Sequence, residues 1–318
     1  MTASKKSSPR GKIAFTNGGL GRMLCAIPAL ERFVQANPEN RVVTNSSLDF
    51  VWGNRILQPK TYHSEMKNIF NDVIKDREWI ESEPYTDWEY YNQKISLGQA
   101  FDKHWNGKYS DNPEDYRPKL YLNAEELAYG KAIINAAQKE HGNEKTIIIQ
   151  PFGRGSSNEE DLETVIDKTS RSFDYDFYLE LVKELRSEYN VVCMSEFKAP
   201  TDKLSICPKE VAIRHWFGAI SQCDYFIGCD SLGQHVAYAF NVPGTVIIGS
   251  TFPVNISYPH YFNTITKKDF VPQFDTFRLS GFGSHEASYY NTGCMMFDEN
   301  ETEEIIANII KDIEEKTK

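Results

Sequence analysis

The chain has 318 residues, of which 40% are hydrophobic and 25% charged, so its length suits two globular domains with separate cores. A mean hydropathy of -0.51 and apolar runs no longer than a strand exclude a membrane-spanning protein. The formal net charge of -10 and the pI near 5.3 disfavour non-specific binding to nucleic acids, because the field of the whole molecule repels polyanions, although a local basic cleft would still bind small anions.

The chain begins with the pattern of a strand, a glycine turn and a helix. Lys12–Thr16 is a short apolar run that stops at residues 18–21 (GGLG), after which residues 23–34 carry apolar side chains at helical spacing. Arg41–Thr44 predicts a second strand, and residues 45–47 (NSS) predict a loop able to cap the next element.

The middle of the chain has a weaker pattern. Residues 49–91 are aromatic and mixed, and they show no assignable period. Residues 94–97 predict a strand, residues 117–122 predict an extended segment, and residues 125–139 predict a long helix. A polar turn at residues 141–144 (HGNE) ends this part, and a buried strand begins directly after it.

The regular alternation after this turn sets the domain organisation. We place an N-terminal domain at residues 1–143 and a C-terminal domain at residues 144–318. Strands that alternate with helices predict a Rossmann-like parallel sheet with right-handed crossovers in the C-terminal domain. Isoleucines at helical spacing predict a closing amphipathic helix at residues 301–316. The predicted strands are 146–150, 190–194, 224–228 and 244–248, and the predicted helices are about 174–188, 210–221 and 233–240.

Two features of the sequence favour a cytoplasmic protein. The polar, basic residues 1–12 are followed by an apolar stretch that glycines interrupt, whereas a secretory signal needs an unbroken apolar region. The six cysteines include no CxxC pair, which favours reduced thiols over disulfides or a metal site.

An anion-binding turn is predicted where the strand 224–228 ends. Residues 230–233 (DSLG) form the turn into a helix whose first amides and positive dipole end suit a pyrophosphate. In open α/β sheets, ligands bind at the carboxyl ends of the strands. The alternative is that Asp230 and Ser231 only cap the helix.

The C-terminal domain also contains two candidate cations. Arg154 lies in a loop of glycines and serines, and Arg171 lies just before the helix that begins near residue 174. Two cations at a helix-end anion site would neutralise a diphosphate leaving group without a metal ion. Solvated surface arginines are the alternative. The sequence has no HExxH, no clustered cysteine and histidine spacing and no GxGxxG, so no metal and no cofactor are predicted.

Three stretches together resemble the heptosyltransferase family. They are residues 19–30 (GLGRMLCAIPAL), 230–239 (DSLGQHVAYA) and 249–253 (GSTFP). That family opens with a Gly-Asp turn and a helix that carries Pro-Ala-Leu. Later it has an acidic residue, a turn of small residues and a histidine before a helix, and then a Gly-Thr-x-Pro-like loop. The order and spacing match over most of the chain, most weakly between residues 49 and 113.

The resemblance implies a GT-B fold, in which two Rossmann-like parallel-sheet domains of the α/β class face a cleft. It implies that the N-terminal domain binds the acceptor, that the C-terminal domain binds a nucleotide-sugar, and that transfer is metal-independent and inverting. It places a carboxylate that meets the nucleoside at Glu196, for which solvation is the alternative. The implied donor-binding residues are Arg171, Glu196, Asp230, Ser231, Leu232, Gly233, Gln234 and His235, to which the loop described above adds Arg154, and the acceptor-side loop contains Gly19, Gly21 and Arg22.

The chain departs from the family at the opening turn. Arg22 stands where the family has the aspartate that deprotonates the acceptor, and arginine cannot act as that base. Either the base has moved, the acceptor is different, or activity is lost. An inverting transfer needs a carboxylate or an imidazole near the acceptor hydroxyl, and the replacements that follow predicted strands are Asp49, Asp102 and His104.

The leading hypothesis is therefore a glycosyltransferase that moves a sugar from a nucleotide-sugar to a hydroxyl on a glycan or small molecule, with Arg171 stabilising the leaving group. One alternative is the same chemistry on a modified base in DNA, against which the acidic net charge counts. A second is a non-catalytic module that binds nucleotide-sugars. An oxidoreductase is disfavoured because the dinucleotide fingerprint is absent.

Overall fold

The computed structural model describes residues 9–81, 83–153, 155–159, 164–167, 169–195, 204–274 and 293–318. The chain divides into two compact units, of which the first comprises Met1–Asp87 and Leu97–Tyr121, and the second comprises Trp88–Ser96 and Leu122–Lys318. In chain order the strands and helices are β1 (Lys12–Thr16), α1 (Leu20–Ala36), β2 (Arg41–Thr44), β3 (Thr61–His63), β4 (Glu78–Glu81), α2 (Trp88–Tyr91), α3 (Leu97–Asn106), α4 (Ala124–His141), β5 (Thr146–Gln150), β6 (Ser156–Glu159), β7 (Thr164–Asp167), α5 (Tyr175–Leu185), β8 (Asn190–Cys193), α6 (Ile213–Ile220), β9 (Tyr225–Gly228), α7 (Leu232–Ala239), β10 (Gly244–Ile248), α8 (Pro253–Ile256), β11 (Asn263–Thr266) and α9 (Glu299–Lys316).

The first unit is built on a four-stranded parallel sheet with the order β3-β2-β1-β4. Strands β1 and β2 have the bounds predicted from the sequence. The strand predicted at residues 94–97 is wrong, because Leu97 begins helix α3 instead. Leu97, Phe101 and Trp105 recur at a spacing of four and are all buried, which is the pattern of a helix that packs one face.

The second unit is built on a five-stranded parallel sheet with the order β11-β10-β9-β5-β8, and a two-stranded antiparallel pair, β6 and β7, follows β5 in the chain. The predicted strands of the C-terminal half are confirmed, with identical bounds for β5 and β10. The closing helix is also confirmed as α9, where Ile305, Ile309 and Ile313 are buried and Asp298 caps the first turn. The chain thus has the α/β class predicted from its sequence.

Helix α4 packs within the second unit, although its residues fall in the N-terminal domain predicted from the sequence. Two glycines let it approach α6 closely: a Cβ at position 218 would lie 2.1 Å from the carbonyl oxygen of Glu126, and one at position 130 would lie 2.1 Å from the carbonyl carbon of Gly218. The buried Glu126 and Arg214 form an ion pair across this contact, with Arg214 Nη2 at 2.9 Å from Glu126 Oε2.

A short segment, Trp88–Ser96, also packs in the second unit although the residues on both sides of it belong to the first. The buried Asn255 holds it, because its side-chain amide donates to the carbonyl oxygens of Tyr90 and Ile95, each at 2.8 Å.

The six cysteines are free thiols, and five of them are buried. Within the described residues, no helix has the length and apolar character needed to cross a membrane.

Candidate functional site

The carboxyl ends of three adjacent strands of the second sheet carry the polar residues of the candidate site. Strand β9 lies between β5 and β10, and Gln150, the last residue of β5, stands in register with Gly228, the last residue of β9. Because all three strands are parallel, the loops that follow them emerge at one edge of the sheet, where ligands of α/β proteins bind.

Gln150 fixes the start of helix α7. Its side-chain oxygen Oε1 accepts from the amide of Gly233 at 2.6 Å, and its Nε2 donates to Ser231 Oγ at 3.1 Å. A Cβ on residue 233 would lie 2.6 Å from that Oε1, so a glycine is needed for the approach. Sequence reasoning missed Gln150, although a polar residue that ends an otherwise apolar strand was a visible signal.

The residues of the predicted turn are brought together, but not as a helix cap. Ser231 occupies the N-cap position of α7 and makes no side-chain capping bond. The buried carboxylate of Asp230 accepts from Thr251 Oγ1 at 2.9 Å and from Gln234 Nε2 at 3.5 Å. Asp230 thereby ties the start of α7 to the loop that follows β10.

Arg171 lies beside Asp230, at the start of helix α7. Its Nη1 is 4.0 Å from Asp230 Oδ2, and its Nε donates to Thr169 Oγ1 at 3.1 Å. The preceding residue, Ser170, adopts a φ of 52°, which is the left-handed region, and its carbonyl accepts from the amide of Ser250 at 3.1 Å. The loop that carries Arg171 is therefore held in a set conformation beside the first turn of α7.

Asp167 organises this loop from its base and was also missed by sequence reasoning. Its Oδ1 accepts from Thr169 N at 2.7 Å and Thr169 Oγ1 at 2.6 Å, and its Oδ2 accepts from Ser172 N at 3.0 Å and Ser172 Oγ at 2.6 Å. Burial alone would raise the pKa of Asp167, but these hydrogen bonds and Arg171 outweigh it and lower the pKa below its ordinary value. The site therefore holds one well-stabilised carboxylate that positions its loop.

We expect Asp167→Asn to lower the free energy of unfolding at pH 7 by about 2 kcal/mol, because the amide nitrogen replaces one of the two oxygens, turns the bond from the backbone amide of Thr169 or Ser172 into a donor–donor contact, and removes the negative charge. The folded-state pKa is lowered, so this stabilisation is present above the ordinary pKa of about 3.9 and is lost as the pH falls through the folded value. Urea unfolding at pH 7 and near pH 3 should thus show that the difference in the free energy of unfolding between wild type and Asp167→Asn becomes smaller at the lower pH. Asp176→Asn, at an exposed position of α5, should show no such trend.

His235 and Gln234 do not supply positive charge to the site. His235 is buried and its Nδ1 lies 2.9 Å from the hydroxyl of Tyr258. Burial, only partly opposed by Asp230, lowers the pKa of His235 to about 4, so the ring is neutral at pH 7. Gln234 is fully buried behind Asp230.

Of the predicted donor-binding residues, Arg154 and Glu196 lie outside the described residues.

The predicted acceptor-side residues lie at the carboxyl edge of the first sheet. Gly19 is the N-cap residue of α1, and Gly21 and Arg22 lie in its first turn. Asp49 follows strand β2, where its backbone amide donates to Ser47 Oγ, as the predicted capping loop requires.

The placement of Asp102 and His104 after a strand is wrong, since both lie inside helix α3. Asp102 is buried and accepts from Arg32 Nε at 3.2 Å, Asn106 Nδ2 at 2.7 Å and Tyr116 OH at 2.8 Å. Its carboxylate is engaged in holding α3 against α1. His104 Nε2 is 3.6 Å from Asp87 Oδ2.

No group of three or more His, Cys, Asp or Glu side chains within the described part of the chain has the geometry to hold a metal ion. The sequence does contain one Asp-x-Asp triplet, at residues 174–176. Asp174 caps helix α5 there, where its Oδ1 accepts from the amide of Asp176 at 3.1 Å, and so the triplet begins a helix.

Solved structures with the same fold are glycosyltransferases. A family 9 glycosyl transferase from Veillonella parvula matches with a TM-score of 0.62 and 12% identity, covering 98% of this chain and 99% of that chain. The iron-containing dodecameric glycosyltransferase TibC from enterotoxigenic E. coli matches with a TM-score of 0.58 and 14% identity, over 97% and 80% of the two chains. The ADP-heptose heptosyltransferase II of E. coli matches with a TM-score of 0.51 and 13% identity, over 96% and 99%.

No protein-family model and no curated protein sequence matches the chain. At such low identities, the structural likeness shows the fold, which is the GT-B fold that the sequence predicts. TibC has also been solved in complex with ADP-D-beta-D-heptose, and that structure matches with a TM-score of 0.56.

Proposed function

We propose that this protein is a glycosyltransferase that transfers a sugar from a nucleotide-sugar to a hydroxyl group, with inversion and without a divalent metal. The observation that carries the proposal is the position of Arg171, held by Asp167 and Thr169 beside the first turn of α7. A guanidinium and the amides of a helix start are together suited to a diphosphate. The shared fold and the ADP-heptose complex of TibC support a nucleotide-sugar as the donor.

The residues of the site take separate roles in this proposal. Arg171 and the amide of Leu232 at the start of α7 contact the diphosphate, whose negative charge grows as the bond to the sugar breaks. Asp230 would repel a diphosphate, so it acts by holding Arg171 and Thr251 in place. The donor therefore binds the second unit, and the acceptor binds the first at the edge that carries Gly19, Gly21 and Arg22.

We expect transfer to continue at the wild-type rate in excess EDTA, because a cationic site replaces the metal as the partner of the leaving diphosphate. The measurement is release of nucleoside diphosphate from a panel of ADP-, GDP- and UDP-sugars, after the donor has been chosen as the one that raises the melting temperature most. A ligand at 100 times its Kd adds about 2.7 kcal/mol of stability, which such a screen detects. Loss of activity in EDTA that magnesium or manganese restores would contradict the metal-independent mechanism.

One observation favours a second candidate, a non-catalytic module that binds nucleotide-sugars. Arg22 occupies the first turn of α1, where the resemblance calls for an aspartate. A protein that is stabilised by a nucleotide-sugar but transfers to no glycan, small molecule or hydroxymethylated DNA would support that module. Transfer to the DNA alone would identify a modified base as the acceptor.

A further inference from the structure

We propose that Glu83 is the general base that deprotonates the acceptor hydroxyl; this inference rests on the glycosyltransferase function proposed above. The sequence pattern does not single out Glu83, because residues 49–91 show no assignable period and the strand that precedes it was not predicted. Its position becomes apparent only from the order of the strands.

Glu83 lies at the same sheet edge as the start of α1. Strand β4 pairs with β1 in parallel and ends at Glu81, two residues before Glu83. The loop after β1 leads into Arg22, and Ser46, which follows β2, donates to the carbonyl oxygen of Gly18 in that loop at 2.7 Å. The ends of β4, β1 and β2 therefore meet at one edge, and the loop that follows β4 places the carboxylate of Glu83 there.

The surroundings of Glu83 leave it able to take a proton from a ligand. Its Oε1 lies 3.6 Å from Arg22 Nη1, and within the described residues this shielded oxygen accepts no hydrogen bond. The side chain as a whole is 44% exposed, so a bound hydroxyl can reach the carboxylate. Arg22 in turn lies over the ring of Tyr85, with 4.7 Å from its guanidinium carbon to the ring centre, and its side chain is 11% exposed.

The chemistry requires one group of this kind. A lone pair of the acceptor oxygen forms the new bond to the anomeric carbon, while the bond from that carbon to the diphosphate oxygen breaks and leaves its electrons on the diphosphate. The acceptor proton passes to the carboxylate of Glu83, which becomes a carboxylic acid. No oxidant, reductant or additional reactant is needed.

The other candidates for the base are less suited to this role. The Asp49 carboxylate accepts a hydrogen bond from the hydroxyl of Ser47, two residues away. Asp102 is buried among Arg32, Asn106 and Tyr116, each of which donates to it. His104 points to Asp87, which also pairs with Lys103 at 2.9 Å. Of these side chains, Glu83 is thus the one that combines a 44% exposed carboxylate side chain with an Oε1 that accepts no hydrogen bond within the described residues.

The test compares Glu83→Gln with Glu78→Gln, which changes the first residue of the strand that precedes Glu83. Glu78 is a close match for Glu83, since its carboxylate lies 3.6 Å from Lys12 Nζ and its side chain is 52% exposed, but it stands at the amino end of β4. With the nucleotide-sugar and acceptor that the wild type uses, we expect Glu83→Gln to lower turnover by about 100-fold or more. Glu78→Gln should remain within about twofold of wild type.

Two further readouts separate a base from a residue that only holds Arg22. The rise in melting temperature caused by the nucleotide-sugar should be the same in Glu83→Gln as in wild type, because the base touches the acceptor alone. The fall of kcat/KM toward acid pH, which reports protonation of the base, should disappear in Glu83→Gln. A structural role would leave that acid limb in place.

The outcomes separate the inference from the function on which it rests. Wild-type turnover in Glu83→Gln, or an unchanged acid limb, would overturn the assignment of the base while the glycosyltransferase function stands. Joint loss of turnover and of stabilisation by the nucleotide-sugar would also overturn it, since a residue that contacts the acceptor alone leaves donor binding unchanged. A wild type that releases nucleotide from no donor would refute the proposed function itself, and the base with it.

Discussion

Replacing Arg171 with alanine is expected to lower kcat by about 100- to 1,000-fold while weakening donor binding much less. The reason is that the diphosphate carries more charge in the transition state than in the bound donor, so a cation beside it stabilises the transition state more. Turnover at saturating donor and the Kd of the donor, measured separately, check this. Arg171→Lys should restore part of the rate, because lysine keeps the charge but loses the planar, two-pronged donor geometry.

Arg117→Ala is the matched control for this substitution. Arg117 is 20% exposed against 24% for Arg171, and it also pairs with a carboxylate, Glu114, at 2.8 Å, but it belongs to the first unit. It should leave turnover within about twofold of wild type. Equal losses in kcat/KM and in donor affinity for Arg171→Ala would mean that Arg171 binds the ground state and the transition state equally well, which would contradict its proposed role.

The second large effect concerns stability. Arg214→Ala should lower the free energy of unfolding by about 3 to 5 kcal/mol, because it leaves the buried carboxylate of Glu126 without its partner between α4 and α6. Burial by itself would raise the pKa of Glu126, but Arg214 and the amide of Asn123 outweigh it and lower the pKa. The contribution is therefore present above the ordinary pKa of glutamate and is lost as the pH falls through the folded value.

Urea unfolding at pH 7 measures this loss of stability, and a double substitution tests whether the unpaired buried charge of Glu126 causes it. Glu126→Gln combined with Arg214→Ala should recover part of the stability, because the buried charge is then removed. Lys183→Ala is the control, since Lys183 pairs with Glu180 on the exposed face of α5 at 3.2 Å and such pairs contribute less than about 1 kcal/mol. A loss below about 1 kcal/mol for Arg214→Ala would show that α4 and α6 are held by packing alone.

Four of the five strands of the second sheet could be predicted closely from the sequence, whereas β11 of that sheet and part of the first sheet could not. Strands such as Thr146–Gln150 and Gly244–Ile248 are buried at every position, so they appear as continuous apolar runs between glycine and polar turns. Strands β3 and β4 have three and four residues, and Trp79 in β4 is 43% exposed, so neither gives an apolar run. Such short, partly exposed strands are fixed by pairing with β2 and β1, which a local pattern does not contain.

The residues of the candidate site likewise fall into those that could be predicted from the sequence and those that could not. The turn that contains Asp230 and the position of Arg171 follow from a strand end and a helix start, which are local signals. Glu83 contacts Arg22, which is 61 positions away in sequence, and Gln150 contacts Gly233, which is still farther away. Only the order of the strands brings the two members of each pair together. Asp102 was misassigned because its burial against Arg32 depends on the packing of two helices.

The segment Trp88–Ser96 makes the chain hard to divide. A fragment that stops at residue 121 would carry these residues without the amide of Asn255 that binds their carbonyl groups, and a fragment that starts at residue 122 would leave that amide without both acceptors. The chain passes between the units after residues 87, 96 and 121. Recombination that exchanges the first unit for that of a protein with the same fold must therefore use three junctions, and residues 88–96 must be inherited together with the second unit.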